Sequence, residues 1–329
     1  MSNKYAEISK VKISALNKNG KTILDDVYVT SPFKVAPPFY KSDDFIKVIV
    51  MSSSAGTMDG DIQDYDITLG DNTKMELTSQ SFEKIHTMIE DEAQRDCTLT
   101  IGANAFLRYN MLPTIPFRGS AFKSNINIKL KDSSSKLIFM DIINCGRVAH
   151  GEKFEYKYYK SYVDVECDNK LVYVDNTNYN PQETDIENFG MYEGYTHFAN
   201  MLIANFTVNE EILSVIRNII KDSEVDGAAS MTQSDYISVK ILGYNSDKLT
   251  KHHLLPREEG GKEEHISHIC SDCHRQIHAL YTNKELAIRL DTIDKLKEDE
   301  KRSKYLKFIR KQPGSKVATI KKSRNVRKY

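Results

Sequence analysis

The sequence predicts a mainly β protein: a large antiparallel, multi-stranded β module with one or two packed helices, followed by a small strand–strand–helix segment and C-terminal helices. Apolar and polar residues alternate with period two from residue 8 to about 244, in runs such as KVKISALN, FIKVIVMS and CTLTIGAN. These runs are rich in Val, Ile, Thr and Tyr, and clusters of Gly, Asn, Asp and Ser separate them. Such a pattern is typical of short strands joined by turns.

The sequence also contains turn signals within the β module and helix signals near its end and beyond it. The pair Asp71–Asn72 and the run 167–169 (Cys-Asp-Asn) are predicted hairpin turns, because Asn and Asp tolerate left-handed backbone geometry. Residues 207–224 carry apolar side chains at helical spacing, with Asn209 or Thr207 as the N-cap, and this helix is predicted to lie across one sheet face. Residues 282–311 predict one or two further helices, capped by Thr282 or Asn283.

Charge divides the chain into modules. Residues 246–329 carry 21 Lys and Arg against 12 Asp and Glu, whereas residues 1–245 carry 25 against 34. We therefore predict a β module over 1–245, a second segment over 246–312 and a disordered basic tail over 313–329. The basic segment indicates an anionic partner such as nucleic acid; the alternative is a solvated helix face with a frayed tail.

The composition predicts a cytoplasmic protein. No apolar run approaches membrane-spanning length, and MSNKYAEISK lacks the apolar stretch of a signal peptide. Cys97, Cys145 and Cys167 are isolated from one another and are expected to be buried as small apolar side chains.

Six segments spread over the β module carry a family resemblance: SAGTMDGD (residues 54–61), LTSQSFEKIH (77–86), LRYNMLPTIPFRGSAF (107–122), CGRVAHGEKFEY (145–156), LVYVDN (171–176) and YEGYTHFANMLIAN (192–205). In order and spacing they resemble the UreD/UreH family of urease accessory proteins. The resemblance covers residues 8 to about 245. It implies a maturation scaffold that acts in nickel delivery to apo-urease, together with a UreF-like helical partner and, through it, a UreG-like GTPase.

Three carboxylates are candidates for nickel transfer. Asp59 and Asp61 project from a predicted bend at Gly56 and Gly60, and the resemblance places Asp61 at the family's Gly-Asp position, which is implicated in passing nickel. The third candidate is Glu152. The alternatives are an Asx-turn for the aspartates and a salt link between Glu152 and Arg147. The module shows no nucleophile–base pair or phosphate loop, which favours a scaffold over an enzyme.

Six of the nine histidines lie between residues 252 and 278. In the same run Cys270 and Cys273 have metal-ligand spacing, and His274 and His278 would lie on one side of a helix. The segment resembles HNH nucleases, which use a ββα-metal fold. That resemblance makes HHLLP the first strand, HISHIC the second and DCHRQIHALYT the helix.

In the HNH frame His253 is the candidate general base, since imidazole can take a proton from an attacking water. His252 falls at a metal-ligand position, His265 falls where the family has an orienting Asn, and the bound ion would be zinc, magnesium or manganese. Cys270 and Cys273 supply only half of a tetrahedral zinc site, because no cysteine lies between Cys167 and Cys270.

The prediction for the whole chain is a urease accessory protein for nickel incorporation, fused to an HNH-like segment. The competing prediction is a metal-dependent nuclease or nucleic-acid-binding protein acting through the C-terminal segment. The first assigns the function to the β module, and the second assigns it to the histidine-rich run.

Overall fold

The computed structural model describes residues 8–223, 225–233, 235–244, 250–253, 266–269 and 271–290, with residues 292, 295, 296 and 299. The chain divides into two compact units, Met1–Gly243 and Tyr244–Tyr329. This boundary lies within two residues of the one that charge and strand pattern predicted.

The first unit consists almost entirely of strands, as its alternating sequence predicts. In chain order they are β1 (Ile8–Lys18), β2 (Lys21–Val29), β3 (Phe33–Val35), β4 (Phe39–Ser42), β5 (Phe45–Ser52), β6 (Ile62–Leu69), β7 (Lys74–Ser79), β8 (Glu83–Ile85), β9 (Ala93–Ile101), β10 (Phe106–Asn110), β11 (Thr114–Pro116), β12 (Ala121–Leu130), β13 (Lys136–Asn144), β14 (Tyr158–Cys167), β15 (Lys170–Tyr179), β16 (His197–Ala204), β17 (Asp226–Gln233) and β18 (Tyr236–Gly243). Helix α1 (Glu210–Lys221) joins β16 to β17.

Two sheets face each other, and apolar clusters fill the space between them. The first sheet has the order β15-β14-β12-β9-β6-β1-β2, and the second runs β17-β18-β16-β13-β10-β7-β5-β3, with β4, β8 and β11 attached beside it. Apart from the short strands β8 and β11, the strands from β5 to β14 alternate between the sheets, so that β5/β6, β7/β9, β10/β12 and β13/β14 form successive coils of a solenoid-like stack. Apolar residues from both sheets, such as Ile67, Leu99, Leu77 and Phe139, fill the space between them.

The central strands are parallel, so the antiparallel prediction was wrong for the middle of the module. β1, β6, β9, β12 and β14 pair in parallel in the first sheet, as do β5, β7, β10 and β13 in the second. Antiparallel pairs occur at the sides, as in β1–β2, β14–β15, β13–β16 and β16–β18. The alternation of side chains has period two in both kinds of sheet, so it cannot distinguish them.

The two predicted hairpin turns have different outcomes. Asp168 and Asn169 adopt φ of 51° and 57° and join antiparallel β14 and β15, which confirms that turn. Asn72 also has positive φ, 60°, but Asp71–Asn72 connects β6 in one sheet to β7 in the other, so the predicted hairpin there was wrong.

Helix α1 confirms the helix predicted over residues 207–224. Asn209 is its N-cap, and its side-chain oxygen accepts a hydrogen bond from Ile212 N at 2.9 Å. Leu213 and Ile220 are buried against β17 and β18, as expected for a helix across a sheet face. Cys97 and Cys145 are buried as predicted, whereas Cys167 is half-buried.

In the second unit, β19 (Thr250–His253) pairs antiparallel with β20 (Ile266–Ile269), and α2 (Ser271–Leu280) and α3 (Asn283–Arg289) follow. Thr282, one of the two predicted caps, is the N-cap of α3 and forms a capping box with Glu285. The predicted tail, 313–329, lies outside the described residues. None of the helices in the described part of the chain has the length and apolar character needed to cross a membrane.

Candidate functional site

The loop of residues 54–61 folds against β8. Gly56 sits so tightly there that a Cβ atom would lie 2.4 Å from Lys84 O and 2.7 Å from the His86 ring. The Asp61 carboxylate accepts a hydrogen bond from Met58 N at 2.7 Å, and this local bond closes the turn that contains Gly60, whose φ is 79°. Asp61 is half-buried and lines a cavity that begins at this loop.

Asp59, two residues away, holds a second loop. Its carboxylate accepts three backbone hydrogen bonds, from Ile89 N at 3.1 Å, Glu90 N at 3.1 Å and Asp91 N at 3.0 Å. These bonds, led by the one from Glu90, lower the pKa of Asp59 although burial opposes them. Asp59 therefore links residues 89–91 to the 54–61 loop. These hydrogen bonds join residues farther apart in sequence than the Asx-turn that was the alternative from the sequence.

The cavity has a volume of about 70 Å³ and lies between the two sheets. That volume holds several water molecules. Its walls carry an unusual density of charge for an interior, with Asp61, Glu83, Arg95 and Asp141 all among the lining residues. A site of this kind can accommodate a hydrated polar solute.

A hydrogen-bonded network forms one wall of the cavity. Buried Arg95 forms an ion pair with Glu83, Nη2 to Oε2 at 3.2 Å, and donates from Nε to Gln63 Oε1 at 3.2 Å. Gln63 Nε2 donates in turn to Thr57 Oγ1 at 2.8 Å and to Glu83 Oε1 at 3.0 Å, and Thr57 also donates to Glu83. The guanidinium charge is thus compensated by one carboxylate inside the protein.

Asp141 lies on the opposite sheet, facing the cavity from β13. Burial raises the pKa of Asp141, and the nearby Asp175 carboxylate adds to this effect, while Arg95 acts against it. The Asp141 residue is half-buried, and it lines the cavity.

Strand register extends this wall into a polar layer across the coils. Gln63, Arg95, Ser124 and Ser161 occupy one level on successive strands of the first sheet. Asp141, Asn200 and Lys240 occupy one level on the second sheet, and Lys240 forms an ion pair with Asp175. The Ser124 hydroxyl is buried and has no hydrogen-bond partner among the described residues. The layer runs from the 54–61 loop toward the last coil.

Glu152 lies away from these groups. Arg147 binds both of its oxygens, with Nε donating to Oε2 at 2.8 Å, and Arg118 N donates to Oε2 at 3.2 Å. The Arg147 hydrogen bonds lower the pKa of Glu152 despite its burial. The structure thus contains the salt link that was the alternative to a nickel-transfer role for Glu152.

The histidine-rich segment is only partly described. His252 and His253 lie on β19, and Cys273, His274 and His278 on α2, but only the His278 side chain, which is exposed, is among the described ones. His265 and Cys270 lie outside the described residues. No group of three or more His, Cys, Asp and Glu side chains arranged for a metal ion occurs in the part of the chain that the structure covers.

Sequence reasoning missed Glu83, Arg95 and Asp141. A signal for Arg95 was present in AQRDCTLTI, where alternate positions Ala93, Cys97, Leu99 and Ile101 are all apolar and buried. A charged residue in the inward-facing series of a strand must find a partner inside, so it points to a polar site. Asp141 shows the same pattern, because Leu137, Phe139 and Ile143 at alternate positions of its strand are apolar and buried. Glu83 lies in a strand of only three residues and carried no such pattern.

Residues 9–255 match the family described as UreD urease accessory protein. The chain is 39% identical over 249 residues to urease accessory protein UreH of Helicobacter pylori (strain P12), covering 75% of this chain and 92% of that protein. It is 35% identical over 251 residues to urease accessory protein UreD of Acetivibrio thermocellus, covering 76% of this chain and 95% of that protein. Urease accessory protein UreD of Bacillus cereus is 27% identical over 243 residues, covering 73% of this chain and 88% of that protein. The match confirms the resemblance seen in the β module, and the chain belongs to the UreD family of urease accessory proteins.

Proposed function

We propose that the first unit is a scaffold through which nickel reaches the urease metallocentre, working with apo-urease and with UreF-like and UreG-like proteins. The observation that carries this proposal is the polar layer between the sheets. A route for a divalent ion through a β core needs water and oxygen ligands in place of apolar side chains.

The charges along the layer favour transient binding over storage. Asp61 stands at the loop where the cavity begins, and Asp141 stands deeper, on the opposite sheet. Carboxylates at separate positions bind an ion more weakly than a closed set of ligands, and passage requires binding that is readily reversed. The Arg95 charge would repel nickel, and its ion pair with Glu83 reduces that repulsion.

The three predicted nickel-transfer residues take different roles in this proposal. Asp61 is the contact for the ion. Asp59 and Glu152 act as positioning residues, because their carboxylates are engaged by the 89–91 backbone and by Arg147 respectively.

The test measures nickel per urease active site in cells that lack their own accessory protein, at limiting nickel. Asp61→Asn and Asp141→Asn should lower the nickel content while the variants still co-purify with apo-urease. Asp66→Asn is the matched control, since Asp66 lies outside the cavity beside Lys12, 3.9 Å away. Full nickel content in both cavity variants would refute the nickel route.

A second experiment tests the scaffold role itself. The full chain should co-purify with apo-urease or a UreF-like partner under mild salt, and residues 1–245 alone should partly restore urease activation. If no such complex forms, the proposed function of the first unit is wrong whatever the cavity does.

A second candidate function concerns the C-terminal unit. We propose that it is a metal-dependent phosphodiester-cleaving or nucleic-acid-binding segment, supported by the order β19, β20, α2, which matches the ββα arrangement expected from its sequence. Plasmid nicking with added Mg, Mn, Ni or Zn should be abolished by His253→Ala. Absence of cleavage with every one of these metals would remove the nuclease proposal.

A further inference from the structure

The outer face of the second sheet carries an ordered arrangement of cations and aromatic rings. Residues Ile46, Met75, Leu107 and Leu137 of β5, β7, β10 and β13 point into the core and are fully buried. Their neighbours in sequence therefore point outward. At one level the four strands present Phe45, Lys74, Phe106 and Lys136 side by side.

The next outward level places one carboxylate among several cations. Glu76 on β7 is level with Lys47 on β5 and with Arg108 on β10. Lys47 Nζ lies 2.8 Å from Glu76 Oε1, Arg108 Nη1 lies 3.5 Å from Oε2, and Lys41 of β4 also binds Oε2. The Glu76 side chain is only 6% exposed, whereas those of Lys41 and Arg108 are 40% and 39% exposed.

These charges do not balance. One carboxylate neutralises one of the three cations around it, so two positive charges are left close together and repel each other. Nearby, Lys74 is paired with Asp44, and Lys136 lies over the Phe206 ring, with Nζ 5.4 Å from its centroid. This local excess is distinctive because residues 1–245 as a whole carry more acidic than basic side chains.

The rings form a connected row within the same surface. Phe45 and Phe106 have centroids 5.9 Å apart at 52°, and Phe106 and Phe206 have centroids 5.8 Å apart at 88°. Cations flank them, with Lys41 5.1 Å from the Phe45 centroid. An aromatic row within a cationic surface provides apolar contact and charge attraction together.

From this we propose that the outer face of β5, β7, β10 and β13, called the basic aromatic face, binds an acidic segment of a partner protein that also carries apolar side chains. The positive excess selects carboxylates, and the rings select apolar groups between them. Nucleic acid fits less well. The neighbouring rings are inclined to each other at 52° and 88°, so they do not offer parallel faces for base stacking, and Glu76 and Asp44 would repel phosphates.

The test uses the full chain and fluorescence anisotropy. The probe is a short labelled peptide of alternating Glu and Leu, compared with a Lys-Leu peptide and with single-stranded DNA. The acidic peptide should bind, and high salt should weaken it, because the charges are exposed. Lys47→Gln/Arg108→Gln should weaken binding about tenfold, because each removed charge contributes a few-fold.

Two further variants keep the outcome decisive. Lys136→Gln, outside the Glu76 cluster, should weaken binding a few-fold without affecting folding. The control Lys123→Gln/Lys129→Gln removes two exposed lysines from β12 in the other sheet and should bind like the unmodified chain. Preferential binding of DNA, no binding of the acidic peptide, or equal binding by all variants would overturn the proposal. None of these results depends on Asp61 or Asp141, so the nickel route is tested separately.

Discussion

Replacing Glu83 with glutamine should destabilise the first unit by about 3 kcal/mol, the lower end of what removing one partner of a buried ion pair costs. Glu83 Oε2 lies 3.2 Å from Arg95 Nη2, and the side chains are 21% and 8% exposed. The guanidinium cannot lose its proton, so the variant leaves a buried charge without its partner. The lower end applies because Glu83 retains some exposure and the adjacent cavity can admit water.

The free energy of unfolding would be measured by urea titration of the full chain, with the β signal in circular dichroism as the readout. For a unit of this size the loss corresponds to a fall in Tm of roughly 6–12 °C. The matched control is Glu155→Gln, which removes the carboxylate from the exposed pair with Arg118 and should cost less than about 1 kcal/mol. Arg95→Met combined with Glu83→Gln should recover much of the loss, because both charges of this pair are then removed.

A loss no larger for Glu83→Gln than for Glu155→Gln would refute the reasoning. Arg95 would then be compensated by another group, and the layer would not depend on the Glu83 pair. A double variant less stable than Glu83→Gln alone would also contradict it.

Three other changes test separate parts of the fold. Burial acts to raise the pKa of Glu76, but hydrogen bonds from Lys41 and Lys47 outweigh it, so the pKa lies below its ordinary value of 4.5. Glu76 should therefore stabilise the fold above pH 4.5, and this stabilisation should be lost as the pH falls through the lowered pKa. The urea midpoint of the Glu76→Gln variant should depend less on pH in that range than the midpoint of the unmodified chain. Asn209→Ala should cost about 1 kcal/mol in unfolding free energy through loss of the α1 cap, and an unchanged urea midpoint would refute the cap. Gly56→Ala should lower both Tm and urease activation, because its Cβ would lie 2.4 Å from Lys84 O; normal activation would show that the 54–61 loop tolerates displacement.

The sequence predicted the strands well and their partners poorly. Alternation in CTLTIGAN or FIKVIVMS identifies a strand and its inward-facing residues, because each side chain's direction depends only on its neighbours along the chain. Whether β6 pairs with β9 or with β7 depends on segments far away in sequence. The Asp71–Asn72 turn shows this clearly: its residues favour a tight turn, but the two strands that it joins, β6 and β7, belong to different sheets.

The candidate site shows the same division. The resemblance led to Asp61, and the structure places this residue at the cavity. The strand sequence shows Asp141 only as a carboxylate among inward-facing apolar residues, and it is the facing of two sheets that brings it near Arg95. Glu152 also lies in a segment that resembles the family, yet its carboxylate is bound by Arg147.

By itself the sequence determined the family, the mainly β character and the α1 helix. All of these depend on local patterns or on ordered short motifs. Only the tertiary structure decided the parallel stacking of coils, the polar layer and the basic aromatic face. Each of these assembles side chains from strands distant in sequence, and their common level arises from strand register, which long-range pairing sets.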